Sequence, residues 1–503
     1  MTMVEVQEQR TVPRKYHEKE AFVTGHSGTT AFEIFAMCLV IPLGLSLYYN
    51  LRSLCRAKGK GCVVVESVAL IAPMLVVNTS FLPHFWTGPA AVALASAPLT
   101  RLNSFLRRTR ANNTRQPSLT SSTPSQTHRR RPEFLSVHRA CVYLLTTIAI
   151  LAVDFPLFPR KFCKTEVGGY GWMDLGAASY VIIAGWTSAL AEGGPSRDCS
   201  TSLVDVTRKA IKKCAPLLLL GFVRLATNKG LEYQEHVSEY GVHWNFFLTL
   251  CCVEGSMVTW KGMRRKVGCL STEMPLDSTL AFLMMVPYQL FLSSGGGQEF
   301  IENGDRTCND SHVGVLPSWL VSDLPSLCHA FVANREGVLG VFGYLSLRLL
   351  SEDVARICFR PTQTSSLNEN RRVVGMRMLI ASLILWAAHL CLTEGLQIPT
   401  SRRSTNASFL LWSLAHNTSL LYLIHVVVPD PPGNAAPPIL DSVNRFGLAV
   451  FLFSNVLTGV VNLTIDTLHT SNATAMFVLS IYLALVCGMA LLLGCIFEKN
   501  KID

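Results

Sequence analysis

The chain has 503 residues, of which 49% are hydrophobic and only 16% charged, whereas a soluble domain carries about 25% charged residues. That composition excludes a water-soluble globular fold. The formal charge of +10, from 44 Lys+Arg against 34 Asp+Glu, would suggest nucleic acid in a soluble protein; here it is spread over loops between apolar blocks, and no nucleic-acid partner is expected.

The apolar blocks are near the ~20 residues that a helix needs to cross a bilayer. Thirteen of them predict an all-α, polytopic transmembrane bundle that reads as one integral membrane domain over residues 1–503. In chain order they are 31–50, 62–82, 86–100, 139–158, 174–191, 214–227, 242–260, 276–293, 337–350, 373–394, 406–428, 446–465 and 473–496. The shorter blocks also allow a re-entrant or interfacial reading. No signal peptide precedes the first block, so that helix is expected to direct its own insertion. One set of loops, with the C-terminal tail, holds 28 Lys+Arg, the other set with the N-terminus holds 12, and four lie within spans. Basic loops stay cytosolic, which predicts a lumenal N-terminus and a cytosolic C-terminus, as an odd span count requires.

Two loops stand apart. Residues 109–132 are Ser, Thr, Arg, Gln and Pro and predict a disordered cytosolic linker. Residues 294–336 predict a long lumenal loop with an Asn309-Asp310-Ser311 sequon and two cysteines, Cys308 and Cys328, which that compartment would permit either to pair or to remain free. The tail carries Lys499 and Lys501. Their spacing from the end matches a dilysine signal read by COPI-type retrieval machinery, an address in the endoplasmic reticulum membrane.

Ionisable residues at or in a membrane are costly and so are the first functional candidates. They form five clusters at the predicted lumenal ends of the spans. These hold Asp154, Arg160 and Lys164; His236, Glu239, Tyr240, His243, Trp244 and Asn245; Asn334 and Arg335; Arg402, Arg403 and Asn406; and Asp466 and His469. Five groups on one face predict a single water-accessible cavity. Two prolines follow Asp154 and make a rigid turn, which suits a salt bridge to Arg160 or Lys164 as well as an active site. His236 and His243 would share a face on a continuous helix, but no standard ligand spacing accompanies them, so no metal is expected. Paired arginines suit either an interfacial anchor or a phosphate. No Gly-x-Ser-x-Gly or P-loop motif is present. Transfer chemistry on a lipid, or transport, remains.

Four strings go further: Ala149 to Lys164, Tyr233 to Phe247, Ala333 to Gly337, and Asn462 to His469. They closely resemble the inositol acyltransferases of glycosylphosphatidylinositol (GPI) biosynthesis, the PIG-W type known in fungi as GPI-anchored wall transfer proteins. The likeness is collinear from about residue 20 to the C-terminus. It implies transfer of a fatty acyl chain, typically palmitoyl, from acyl-CoA as co-substrate to the inositol 2-hydroxyl of glucosaminyl-phosphatidylinositol, among membrane lipids and with no further cofactor. Under that reading a base must take the proton of a poorly nucleophilic hydroxyl. Asp154 is the first choice, because desolvation makes a carboxylate more basic; Lys164 would steady the oxyanion or Asp154 itself, and His243 is the competing base. The arginines would hold phosphate, and Tyr240, Trp244 and Asn245 the sugars. The rivals are a lipid or small-molecule transporter and a different membrane acyltransferase built on one buried histidine.

Overall fold

The computed structural model describes residues 22, 24–79, 89–101, 132–166, 168–191, 203–230, 237–267, 276–309, 312, 314–360, 367–429 and 436–499. The 109–131 part of the predicted linker, His236, Asp310, Ser311 and Lys501 lie outside them.

The described chain is helical, with no strand among the described residues. In order the helices are α1 (Ala31–Leu54), α2 (Lys60–Val77), α3 (89–101), α4 (Glu133–Ala152), α5 (Leu175–Ala191), α6 (Leu203–Gly230), α7 (Phe246–Val267) and α8 (Leu276–Ser294). They continue with α9 (Gly297–Asn303), α10 (Pro325–Ala333), α11 (Arg335–Phe359), α12 (Leu367–Leu390), α13 (Ala407–Val427), α14 (Pro438–Arg445), α15 (Gly447–Thr464) and α16 (Asn472–Lys499). All thirteen predicted blocks fall on helices. Among the described residues, eight helices are long and apolar enough to cross a membrane: α1, α2, α4, α8, a segment Glu369–Gly395 that includes most of α12, α13, α15 and α16. Of the other five, α3 and α5 are short, and α6, α7 and α11 carry charges within their length. The fourth block is shifted: α4 runs from Glu133 to Ala152 and the chain then turns, so Asp154 stands just past a helix end.

The structure divides into two compact units, residues 1–28 with 164–417 and residues 29–163 with 418–503. In the second unit, Ile34, Met37, Ile41, Leu45 and Tyr48 of α1 are at most 1% exposed. The Tyr482 hydroxyl of α16 donates to Thr147 O of α4 (2.9 Å) and Ser454 O of α15 (3.4 Å). Glu66 of α2 is fully buried, and its carboxylate accepts the backbone N–H groups of Ile439 (2.7 Å) and Leu440 (2.9 Å). Those donors belong to the first turn of α14 and have no partner within that helix, so a buried acid there satisfies both.

In the first unit α11 is the hub, packed against α5, α7, α8 and α12. Small residues allow the approach: a Cβ at Gly185 of α5 would lie 2.6 Å from Ser351 Cβ, and one at Gly343 of α11 would lie 2.2 Å from Thr405 O. Between α8 and α11 the predicted long loop folds into α9, the short helix Ser318–Ser322 and α10, and Cys308 and Cys328 are disulfide-bonded.

Candidate functional site

Two of the resembling strings meet in the first unit. Past the short helix Val237–Tyr240 the chain leaves helical geometry at Gly241, whose φ of +110° favours glycine. A Cβ there would also lie 2.5 Å from Asn334 Cα. Val242 N then donates to Ala333 O (3.0 Å) and His243 N to Asn334 Oδ1 (2.7 Å). Residues 241–245 are therefore not a helix face, and the exposed His243 imidazole projects from a corner. Asn245 caps α7, its Oδ1 accepting from Phe247 N (3.0 Å) and Leu248 N (3.3 Å) while its Nδ2 donates to Gly221 O (2.9 Å). The Trp244 indole donates to Thr249 Oγ1 (2.9 Å) and its ring lies against Gly337. A Cβ at Gly337 would be 2.2 Å from Trp244 Cδ1 and 2.5 Å from Tyr240 O. Gly337→Ala is therefore expected to cost about 1–3 kcal/mol through overpacking, read as a lower melting temperature of the detergent-purified protein.

Around this corner lie charges. Lys164 pairs with Glu239. Arg402 Nε is 2.7 Å from Asp174 Oδ1, and Asp174 also accepts from Thr165 Oγ1 (2.8 Å), Thr165 N (3.2 Å) and Gly171 N (3.0 Å). Burial opposes the charge on Arg402, but Glu239 and Asp174 hold its pKa above the ordinary arginine value. Burial, with Tyr344 and Glu239 nearby, pushes the Tyr240 hydroxyl well above its usual range.

A second carboxylate, Glu336, gathers three guanidinium groups: Arg306 at 2.7 Å, Arg403 at 3.3 Å and Arg335 at 4.0 Å. Arg335 also donates to the main-chain oxygens of Ile301 (3.3 Å), Gly304 (2.5 Å) and Asp305 (2.8 Å), tying α11 to the loop after α9. Burial, then Arg306 and Arg403, lower its pKa against the pull of Glu336. Asn406 is engaged locally, donating to Pro399 O (2.6 Å) and accepting Phe409 N (3.0 Å) at the start of α13.

The other two strings meet in the second unit. Phe155, Leu157 and Phe158 are each at most 1% exposed and anchor the turn after α4. Arg160 donates to Val153 O (3.0 Å), Phe155 O (2.9 Å) and Phe158 O (2.9 Å), closing the carbonyls that a helix end leaves open. Its guanidinium pKa is lowered by burial and raised in part by Asp154. Asp154 is left partly accessible, and its Oδ2 accepts from Asn462 Nδ2 of α15 at 2.8 Å. Asn462 Oδ1 is buried and has no hydrogen-bond partner among the described residues. Asp466 and His469, 3.4 Å apart, lie on an exposed turn.

Sequence reasoning singled out most of these side chains but missed Asp174, Arg306, Tyr344 and the acids and bases inside α11. Asp174 had a signal: an acid three residues after Gly171 at the start of an apolar run, where an N-terminal cap belongs.

Comparisons with known proteins bear on this arrangement. The family described as GWT1 matches residues 15–493. A "GPI-anchored wall transfer protein 1" of Aspergillus oryzae is 32% identical over 510 residues, covering 94% of this chain and 97% of the relative. Relatives of the same name from Candida albicans and Schizosaccharomyces pombe are each 28% identical, over 96% and 94% of this chain and 98% and 96% of their own. The chain belongs to the GWT1 family.

Proposed function

We propose that this chain is a membrane O-acyltransferase of GPI-anchor biosynthesis, moving palmitoyl from palmitoyl-CoA to the 2-hydroxyl of inositol in glucosaminyl-phosphatidylinositol. The hydroxyl oxygen attacks the thioester carbonyl, a C–O bond forms, the C–S bond breaks, and CoA thiolate leaves and takes a proton. Asp154 accepts the hydroxyl proton. Lys164, ten residues on, is the cation assigned to the oxyanion, and it pairs with Glu239.

The observation that carries this reading is the Asp154–Asn462 pair. An amide donor fixes the carboxylate, and the same amide offers a buried acceptor with no partner among the described residues. A base and an acceptor side by side suit two neighbouring ring hydroxyls, one oriented by donating to the acceptor while the other gives its proton to the base. The excess of guanidinium over carboxylate at Glu336 favours a phosphodiester in the same terms. On this reading the protein works in the endoplasmic reticulum membrane.

The test is acyl transfer in membranes from cells lacking their own inositol acyltransferase, with this chain restored and labelled glucosaminyl-phosphatidylinositol and palmitoyl-CoA supplied. A product resistant to phosphatidylinositol-specific phospholipase C is expected. Its absence, with the protein present at normal level, would overturn the reading.

A further inference from the structure

The segment between α8 and α11 has two halves that turn opposite kinds of surface outward. Its first half, residues 297–306, carries Glu299, Glu302, Asp305 and Arg306, and buries Phe300 and Ile301. That is the ordinary arrangement of an element facing water. Its second half, residues 317–332, holds one acid, Asp323, and no lysine or arginine. There the helix Ser318–Ser322 buries none of its residues, and α10 buries only Cys328 and Val332. The two helices pack on one another, yet Trp319 is 55% exposed, Leu324 45% and Leu327 56%. Large apolar side chains gathered on so short a stretch mark a surface that meets something apolar.

The base beneath them is fixed. Phe331 stacks on Phe300 with ring centroids 6.4 Å apart, and Cys308 N donates to His329 Nδ1 (3.0 Å). The Cys308–Cys328 disulfide ties α10 to the chain just past the polar half. The exposed side chains are therefore held out by folded structure, not by a loose loop. The pair also starts close to a membrane boundary. Helix α8, apolar enough to cross the membrane, ends at Ser294, and a Cβ at Gly296 would lie 3.5 Å from Val315 Cγ2. Trp319 follows Val315 by four residues, at most ~14 Å of extended chain. That is within reach of the interfacial layer, which is ~6 Å deep on each side of the hydrocarbon.

We propose that the helix Ser318–Ser322 and α10 lie in the lipid interface, with Trp319, Leu324 and Leu327 among the upper acyl chains. The partner is the bilayer itself, and the polar half faces water. An indole suits that layer, because its ring is apolar and its N–H can bond to headgroups or water. An element that lies in the plane of the membrane needs an apolar face, not the length to span it. Arg306 donates to Ala333 O at the end of α10 (3.3 Å) and pairs with Glu336. A seated α10 therefore carries that guanidinium to the level of the lipid phosphates.

The experiment uses the full-length protein in phosphatidylcholine nanodiscs and reads Trp319 as the emission of wild type minus that of Trp319→Phe. Two quenchers are compared: lipid brominated near the headgroup end of its acyl chains, and aqueous iodide. The brominated lipid is expected to remove about half or more of the Trp319 emission, and iodide little of it. Leu327→Trp, read against wild type, is a second probe on α10 and is expected to behave alike. Strong iodide quenching without quenching by lipid, at either position, would put the pair in water and overturn the proposal. Protection from both quenchers would mean that a second copy or another protein covers the face, and would overturn it too. The readout needs no turnover, so it is independent of the acyl-transfer reading.

Discussion

Asp154→Asn is expected to lower acyl transfer by a factor of about 10²–10⁴, the usual contribution of a positioned general base, with little change in the amount of folded protein. The stability half follows from the turn. Its fixed points are Phe155, Leu157 and Phe158 in the core and the three hydrogen bonds from Arg160 to main-chain oxygens, and an asparagine at 154 leaves the partners of all of them in place. An asparagine keeps the shape and can still accept the Asn462 amide through its own oxygen. What it loses is the capacity to take a proton. Membranes carrying the variant should therefore show normal levels of protein and a melting temperature close to wild type, with product formation nearly abolished at saturating palmitoyl-CoA. Full transfer by Asp154→Asn would move the role to another group, with His243 next.

Asn462→Ala separates orientation from basicity. It keeps the carboxylate and removes both the amide donor and the buried acceptor beside it. A base held in one rotamer by a hydrogen bond loses rate when that bond goes, so a fall of about tenfold or more is expected, smaller than for Asp154→Asn. A fall in both kcat and apparent acceptor affinity would fit an acceptor that touches the sugar. If only folded yield falls, Asn462 is a packing residue.

How much of this was legible in the sequence depends on the kind of signal. Helices α1, α4, α13, α15 and α16 are continuous apolar blocks, and periodicity is not needed to see them. The end of α4 was misplaced because Val153, Phe155, Leu157 and Phe158 are apolar and extend the block, although two prolines already forbid a helix there. The α11 acids and bases stayed hidden for the opposite reason. Arg348, Glu352 and Arg356 are spaced four apart on one helix face, yet they fall at the end of a predicted span, where charges read as the exit into a loop. Their partners Asp277, Lys261 and Glu254 come from other helices, and no local pattern announces a pairing across such distances. The same limit applies to Arg402 and Asp174. Arg402 stood out beside Arg403, but only the fold supplies a buried acid 228 positions earlier.

That pair yields the largest expected effect on stability. Asp174 is 1% exposed and Arg402 7%, so both charges are desolvated, and the strength of such a pair shows when one member is removed. Arg402→Met leaves the Asp174 carboxylate with its bonds from Thr165 and Gly171 but without its ion-pair partner. A cost of about 3–5 kcal/mol is expected, a large share of the ~5–15 kcal/mol that holds a typical protein folded. Asp174→Asn should cost less, because Arg402 retains Glu239 as a neighbouring negative charge. The double variant Asp174→Asn/Arg402→Met should recover part of the single loss, since no buried charge is then left unpaired. Thermal melts of the three variants in detergent give the ranking directly: Arg402→Met lowest, the double variant above it, Asp174→Asn nearest wild type. An Arg402→Met melt equal to wild type would mean that water reaches Asp174, and that the arginine is free to serve a substrate anion instead of the fold.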